Sequence, residues 1–400
     1  VMSCNYELIS GNSNFFAMKS LKCFPIFSEQ VISFFSDLSK HILDDDYSKD
    51  FPDLMTFAFH IRKANINIIC KRYKDIIDTA YGRGLAYHIG PSNVPMNFAY
   101  SMFYSLLAGN PTVLRLPTID YPQINRLCNQ INKILNLEKH KSISNYLALL
   151  KYDKGSTLTK NLSEVCKVRI IWGSDETITT VLSNPKNIRC KDLVFPSRIS
   201  WAVISTKLIL EHKHKLSELA NAFFDDTFSL DQNACSSPSQ IFFLRDGVQF
   251  EDAKELFWNA VKDVMLARNY QVSEAMVMNR EVACVSAAMI SPGCRINRNY
   301  LPFFHLIDKP LTSSDVMGYK VGGGMFFEYS IDDFSCLGEY LSVYVQTITT
   351  QKEFAKVVRS HLNKCFPGQV DRVVGFGRAL EFGAVWDGYD LIREMSNIRM

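Results

Sequence analysis

The stretch Gly84–Pro117, GLAYHIGPSNVPMNFAYSMFYSLLAGNPTVLRLP, decides how this chain folds. It passes from an apolar segment, GLAYHIG, through a proline-bounded loop, Pro91–Pro95, and ends in a second apolar segment, PTVLRL. Proline fixes its own φ and disfavours helix in the residue before it, so Asn93 falls in a stiff loop. Met96, Tyr100, Phe103 and Leu107 then recur at helical spacing. Strand, loop, helix and strand in this order predict one unit of a parallel sheet. A side-chain amide held in such a loop can donate to a developing oxyanion without reorganising. The same residue type in a turn also commonly bonds its own backbone.

The alternation continues outward. Ile124–Leu135 reads as a helix and Val168–Ser174, VRIIWGS, as a strand. Asp175 is placed to cap the helix containing Ile178 and Val181. DLVFP and SWAVIS, between Asp192 and Ser205, read as the strands that complete this sheet, and the polar EHKHKL at Glu211–Leu216 reads as a boundary. Upstream, Ser28 precedes a helical pattern of Val31, Phe34, Phe35, Leu38 and Ile42, and Pro52 opens a second helix. Residues 1–24 lack periodicity and are expected to form a loosely held arm. Downstream, QIFFL predicts a strand, Phe250–Arg268 and Val272–Ile290 helices, GYKVGGGMFFEYSI a turn and strand, and Glu353–Leu362 a further helix.

A length of 400 residues suggests two domains of ordinary size, and 47% hydrophobic with 21% charged residues suits a packed core. A net charge of +3 is too small to argue for nucleic-acid binding. Eleven cysteines without a Cys-x-x-Cys pair or zinc-type spacing read as free thiols in a reducing compartment, with no metal site. The N-terminal stretch shows no signal layout, and the most apolar run, Val94–Leu107, is too short to span a bilayer. The expectation is a cytoplasmic protein without stable membrane insertion.

The segment FSLDQNACSSPSQIFF, Phe228–Phe243, supplies a candidate nucleophile, Cys235, among polar neighbours that signal an exposed loop. A lone cysteine is more often an inert buried side chain, and an ordinary thiol needs help to react at neutral pH. Pro-Ser-Asn-Val-Pro, Ala-Gly-Asn, Arg-Leu-Pro and Asp-Gln-x-x-Cys-Ser-Ser-Pro together resemble the LuxC family. Its members are acyl-CoA or fatty acid reductases distantly related to aldehyde dehydrogenases. FAFHIRKANI (Phe57–Ile66), IIWGSDETI (Ile170–Ile178), FPSRIS (Phe195–Ser200), QTITT (Gln346–Thr350) and DRVVGFGRALEFGAVWDGYDLI (Asp371–Ile392) match in the same order.

The resemblance implies an α/β, aldehyde dehydrogenase-like fold. Residues 1–212 would carry N-terminal helices and a Rossmann-like nicotinamide-binding domain, 213–368 an α/β catalytic domain, and 369–400 a segment returning to the first. It implies NADPH-dependent reduction of an activated acyl group to an aldehyde through an acyl-cysteine on Cys235, with Asn93 in the oxyanion hole. Arg115 stands where relatives place a ribose-contacting lysine, and a guanidinium there suits a 2′-phosphate. Gly173 and Ser174 match the turn that approaches the pyrophosphate. His88, Gln232 and Arg198 are possible substrate or supporting residues. Gly322–Gly324 reads as a flexible turn, since no Gly-Lys-Ser/Thr follows. Where aldehyde-oxidising relatives carry a water-activating glutamate, this chain reads LVFPSR, with Val194 or a neighbour in that place, which suits reduction. The acyl donor is expected to be acyl-CoA or an acyl-protein synthetase partner, and the protein a homo-oligomer. A reversible CoA-acylating aldehyde dehydrogenase and a non-catalytic subunit are the alternatives.

Overall fold

The alternation around Gly84–Pro117 becomes a six-stranded sheet in the computed structural model, which describes residues 5–247, 249–290, 293–308, 320–339, 341 and 344–399. The chain divides into two units, Val1–Pro196 with Phe382–Met400, and Ser197–Glu381.

In the first unit the strand order is Glu7–Gly11, Leu147–Lys151, Thr112–Arg115, Ala86–Ile89, Val168–Trp172, Lys191–Phe195. All neighbours pair in parallel except Glu7–Gly11, which runs antiparallel to Leu147–Lys151. The first strand of the alternation is central, and the chain moves outward to one side and then the other. Strand order therefore reverses between Ala86–Ile89 and Val168–Trp172, the kind of switch point where open α/β sheets bind ligands beyond the carboxyl ends of the strands. Ala86–Ile89 and Thr112–Arg115 are buried throughout, His88 and Arg115 included. Helices Asn97–Leu107 and Pro122–Leu135 bury Phe98, Met102, Phe103, Leu127 and Ile131 in the same core.

The second unit holds a seven-stranded sheet, ordered Arg295–Asn297, His305–Asp308, Met325–Ile331, Pro238–Leu244, Ile199–Ser205, Val345–Thr350, Arg372–Gly375. Only Arg295–Asn297 pairs antiparallel among these described strands. Helices Leu216–Thr227 and Phe250–Ala267 cover one face with an aromatic cluster of Phe223, Phe257, Trp258 and Phe326.

Several expectations change. Ile199–Ser205, read as completing the first sheet, pairs with Pro238–Leu244 and Val345–Thr350, so the division falls after Pro196 rather than at 212. Arg372–Gly375 also belongs to the second sheet, and the chain returns to the first unit at Phe382 rather than 369. A buried apolar strand carries no mark of which sheet will accept it. The expected N-terminal arm is partly built into the sheet edge by Glu7–Gly11, with Phe15 and Met18 buried; residues 1–4 lie outside the described ones. Ser28 does precede the helix Glu29–Leu43, but its side chain makes no capping bond. Ser174, not Asp175, caps Asp175–Leu182, its Oγ accepting from Thr177 N. Of GYKVGGGMFFEYSI, the strand forms at Met325–Ile331, while Gly318 and Tyr319 lie outside the described residues.

Candidate active site

In the first unit, two loops leave the carboxyl ends of the strands that flank the switch point. The loop after Ile89 carries Asn93, which is exposed, and Tyr121 Oη steadies that loop by donating to Ser92 O at 2.9 Å. The loop after Trp172 carries Gly173 and Ser174. A Cβ on Gly173 would lie 3.0 Å from Thr177 Cγ2, so glycine lets the turn close on the helix it starts. Asp175 and Glu176 occupy the first turn of that helix and oppose an anion at its N-terminus. Arg115 ends its strand nearly buried. Its Nε donates to Tyr152 O at 3.0 Å and its guanidinium lies 5.1 Å from the Tyr152 ring centre. Its terminal amino groups make no bond among the described residues and fit a phosphate oxyanion pair.

His88 does not reach solvent. It is fully buried in the central strand, its Nδ1 is 2.7 Å from Ser101 Oγ, and burial pushes its pKa down to about 3. It is a neutral ring joining the strand to the helix that follows Asn93. The Ala-Gly-Asn motif is architectural as well. Asn110 Oδ1 accepts from Arg83 N at 2.8 Å and Gly84 N at 3.3 Å, while Nδ2 donates to Met395 O at 2.9 Å.

In the second unit, Cys235 lies at the amino end of Pro238–Leu244, so the candidate nucleophile sits at the opposite strand ends from those used in the first unit. The residue is half-buried between buried Ala234 and Ser236. Its carbonyl accepts from Ser200 Oγ at 2.8 Å, and Ser200 Oγ in turn accepts from Thr347 N at 3.2 Å. The amide N–H of Cys235 has no acceptor among the described residues and is available as an oxyanion donor.

Gln232 explains why this loop holds its shape. Asp231 and Gln232 adopt φ of 49° and 61°, a region that non-glycine residues leave unless they are held there. The fully buried Gln232 amide donates to Pro238 O at 2.9 Å and Met325 O at 3.0 Å. Its Oε1 accepts from Gly324 N and Met325 N, both at 3.0 Å. Gln232 is thus a brace between loop and sheet, closed off from substrate. The glycines 322–324 are its counterpart: all three have positive φ, and Gly323 N donates to Asp231 O at 2.8 Å. The expected flexible turn is a fitted support. Arg198 pairs with Asp371 and donates to Val345 O at 3.4 Å, tying together the starts of three strands.

One residue that sequence reading passed over also reaches the loop. Lys320 Nζ donates to Ala234 O and, at 3.4 Å, to Asn233 O. A single lysine ahead of three glycines carries no local signal of this contact. No group of acidic, histidine and cysteine side chains suited to a metal occurs among the described residues, nor does a helix long and apolar enough to cross a membrane.

Residues 70–265 match the acyl-CoA reductase (LuxC) family. The LuxC match spans Asn93, Arg115, Gly173, Ser174 and Cys235 and bears out the resemblance read from the motifs. The chain is 26% identical over 178 residues to the long-chain acyl-protein thioester reductase of Vibrio harveyi, covering 44% of this chain and 35% of that one. The protein of the same name from Aliivibrio fischeri is 22% identical over 172 residues, covering 42% and 34%. The matched segment thus spans about a third of the length of these curated relatives.

Among solved structures, betaine aldehyde dehydrogenase from Staphylococcus aureus aligns with a TM-score of 0.69 at 13% identity, covering 99% of this chain and 91% of that one. Glyceraldehyde-3-phosphate dehydrogenase GapN from Methanocaldococcus jannaschii, complexed with NADP, aligns with a TM-score of 0.66 at 12% identity, covering 96% and 90%. The fold is aldehyde dehydrogenase-like.

Proposed function

We propose that the protein reduces an activated acyl group to an aldehyde through an acyl-cysteine on Cys235, with NADPH as the hydride source. The observation that carries this reading is the Cys235 loop. It offers a half-buried thiol and an unbonded amide N–H on a backbone braced by Gln232, inside a segment that matches the LuxC family. Such a brace keeps nucleophile and oxyanion donor in register through two successive reactions at one carbon.

The Cys235 sulfur attacks the carbonyl carbon of a thioester. The oxygen takes the negative charge, received by the Cys235 N–H and by the side chain assigned to this role, Asn93. The donor's sulfur then leaves with its electron pair, and the acyl group remains on Cys235. Arg115, Gly173 and Ser174 are the residues that would hold the dinucleotide. When bound, it supplies a hydride to the acyl carbon. The resulting thiohemiacetal collapses as the C–S bond returns its electrons to Cys235 and the aldehyde is released. Val194, half-buried on the strand Lys191–Phe195, offers no base to activate water, which favours this direction.

The donor is acyl-CoA or an acyl group carried by a protein partner, the class for which the two curated relatives are named. A cytoplasmic homo-oligomer is the assembly this activity suits. The test is the intact mass of the protein after mixing with a panel of acyl-CoAs, with and without NADPH. The expected result is one acyl group on Cys235 that is discharged as aldehyde when NADPH is added. Aldehyde-dependent NADP reduction that needs free CoA, without the reductive reaction, would favour a CoA-acylating dehydrogenase. Absence of any adduct and of any dinucleotide binding would refute the reading.

A further inference from the structure

Lys320 stands just before the glycine support 322–324 and turns back toward the nucleophile loop, 86 residues earlier in sequence. The residue is half-buried, but its ammonium end lies inside the protein. A buried ammonium is costly unless its protons are bound and its charge is answered. The carbonyls of Asn233 and Ala234 answer part of the first need. They are neutral, and no carboxylate pairs with Lys320 among the described residues. The anion that would complete the arrangement is the sulfur next along the chain.

We propose that Lys320 is a positioning residue for Cys235, holding the two carbonyls that precede it and setting an unmatched positive charge against the sulfur. This role rests on the acyl-cysteine reading above and deepens it. Sulfur carries negative charge twice in that reaction, as the attacking thiolate and again when the C–S bond of the thiohemiacetal breaks. A fixed cation beside it favours both moments without moving. The electrostatics agree with the geometry: burial draws the Lys320 ammonium below its ordinary range, and the Cys235 side chain acts in the other direction, holding the proton on.

The charge can be read from the preference of Cys235 for anionic iodoacetate over neutral iodoacetamide, measured at the Cys235 peptide by mass spectrometry. The wild-type preference should exceed that of a neutral cysteine amide in solution by about threefold or more. Lys320→Gln keeps an N–H donor for the loop but removes the charge, and should lower the preference about fivefold. Lys320→Arg should retain it. A loop that had merely loosened would change both alkylation rates together and leave their ratio alone. A wild-type preference equal to that of the free thiol would overturn the role of Lys320 even if every variant failed to fold. So would a ratio within about twofold of wild type in a folded Lys320→Gln protein. The acyl-CoA mass experiment separates the two ideas. If wild type forms the adduct and the ratio does not respond, only the Lys320 inference fails. If wild type forms no adduct and binds no dinucleotide, the function reading fails whatever the ratio shows.

Discussion

Gln232 grips Met325 from both sides of its backbone: its Nε2 donates to Met325 O and its Oε1 accepts from Met325 N, each at 3.0 Å. Met325 begins the strand next to the one that follows Cys235, so the amide fixes the nucleophile loop to the amino ends of two interior strands. Buried polar groups arranged this way are worth most when every one is partnered.

Gln232→Ala should therefore cost about 2–4 kcal/mol, because it takes a partner from two buried carbonyls and the Gly324 N–H and leaves the Met325 N–H only its longer bond to Gly322 O at 3.3 Å. Urea unfolding of the purified variant measures the loss. Acylation of Cys235 should slow even below the transition, since Asp231 and residue 232 would no longer be held at positive φ. A change below about 0.5 kcal/mol would mean that the brace is not a buried network.

Asn93 is exposed on its loop, so Asn93→Ala should leave the melting temperature unchanged. As one of the proposed oxyanion donors, its loss should lower turnover about a hundredfold to a thousandfold. Single-turnover acylation locates the effect in the chemical step. Wild-type turnover in the variant would remove Asn93 from the reaction.

Arg115→Ala should raise the dissociation constant for NADPH about tenfold more than that for NADH, since only the former presents a 2′-phosphate to the guanidinium. Fluorescence titration with both nucleotides measures it. Equal weakening would show that Arg115 serves the fold through its bond to Tyr152 O.

Asp226 sets a pH dependence of stability. Burial pushes its carboxyl up to about 7, although Gly377 N and Ala379 N both donate to it, at 2.8 and 2.6 Å. The folded state thus binds a proton that the unfolded state releases near 3.8. The stability this group contributes is full below the unfolded value and is lost as pH rises through about 7, by about 2–4 kcal/mol. Unfolding free energies at acidic and alkaline pH should differ less in Asp226→Asn than in wild type. An unchanged difference would place the pH dependence elsewhere.

Much of the architecture was legible because its signals are local. Proline before and after Asn93 marked its loop, and strand–helix alternation marked the first sheet. The hairpin between Val385–Trp386 and Tyr389–Asp390, turned by Asp387-Gly388 at positive φ, was a local signal that the motif reading of this segment passed over. Motif membership alone did not distinguish chemistry from scaffold. Asn93 and Asn110 both lie in motifs that carry the family resemblance, yet Asn110 is fully buried with its amide bonded to backbone groups, and Asn93 is exposed. His88 and Gln232, both read from the sequence as possible substrate or supporting residues, are fully buried.

By itself the sequence determined the order and kind of the main elements, the stiff loop of Asn93 and the candidacy of Cys235. These follow from φ restriction, side-chain periodicity and the chemistry of a thiol, each written within a few residues. Only the tertiary structure decided which sheet receives Ile199–Ser205, that Gln232 braces the nucleophile loop, and that Lys320 reaches the carbonyl before Cys235. Strand partners and buried charges are chosen by hydrogen-bond satisfaction across long stretches of chain, and no local pattern encodes that choice.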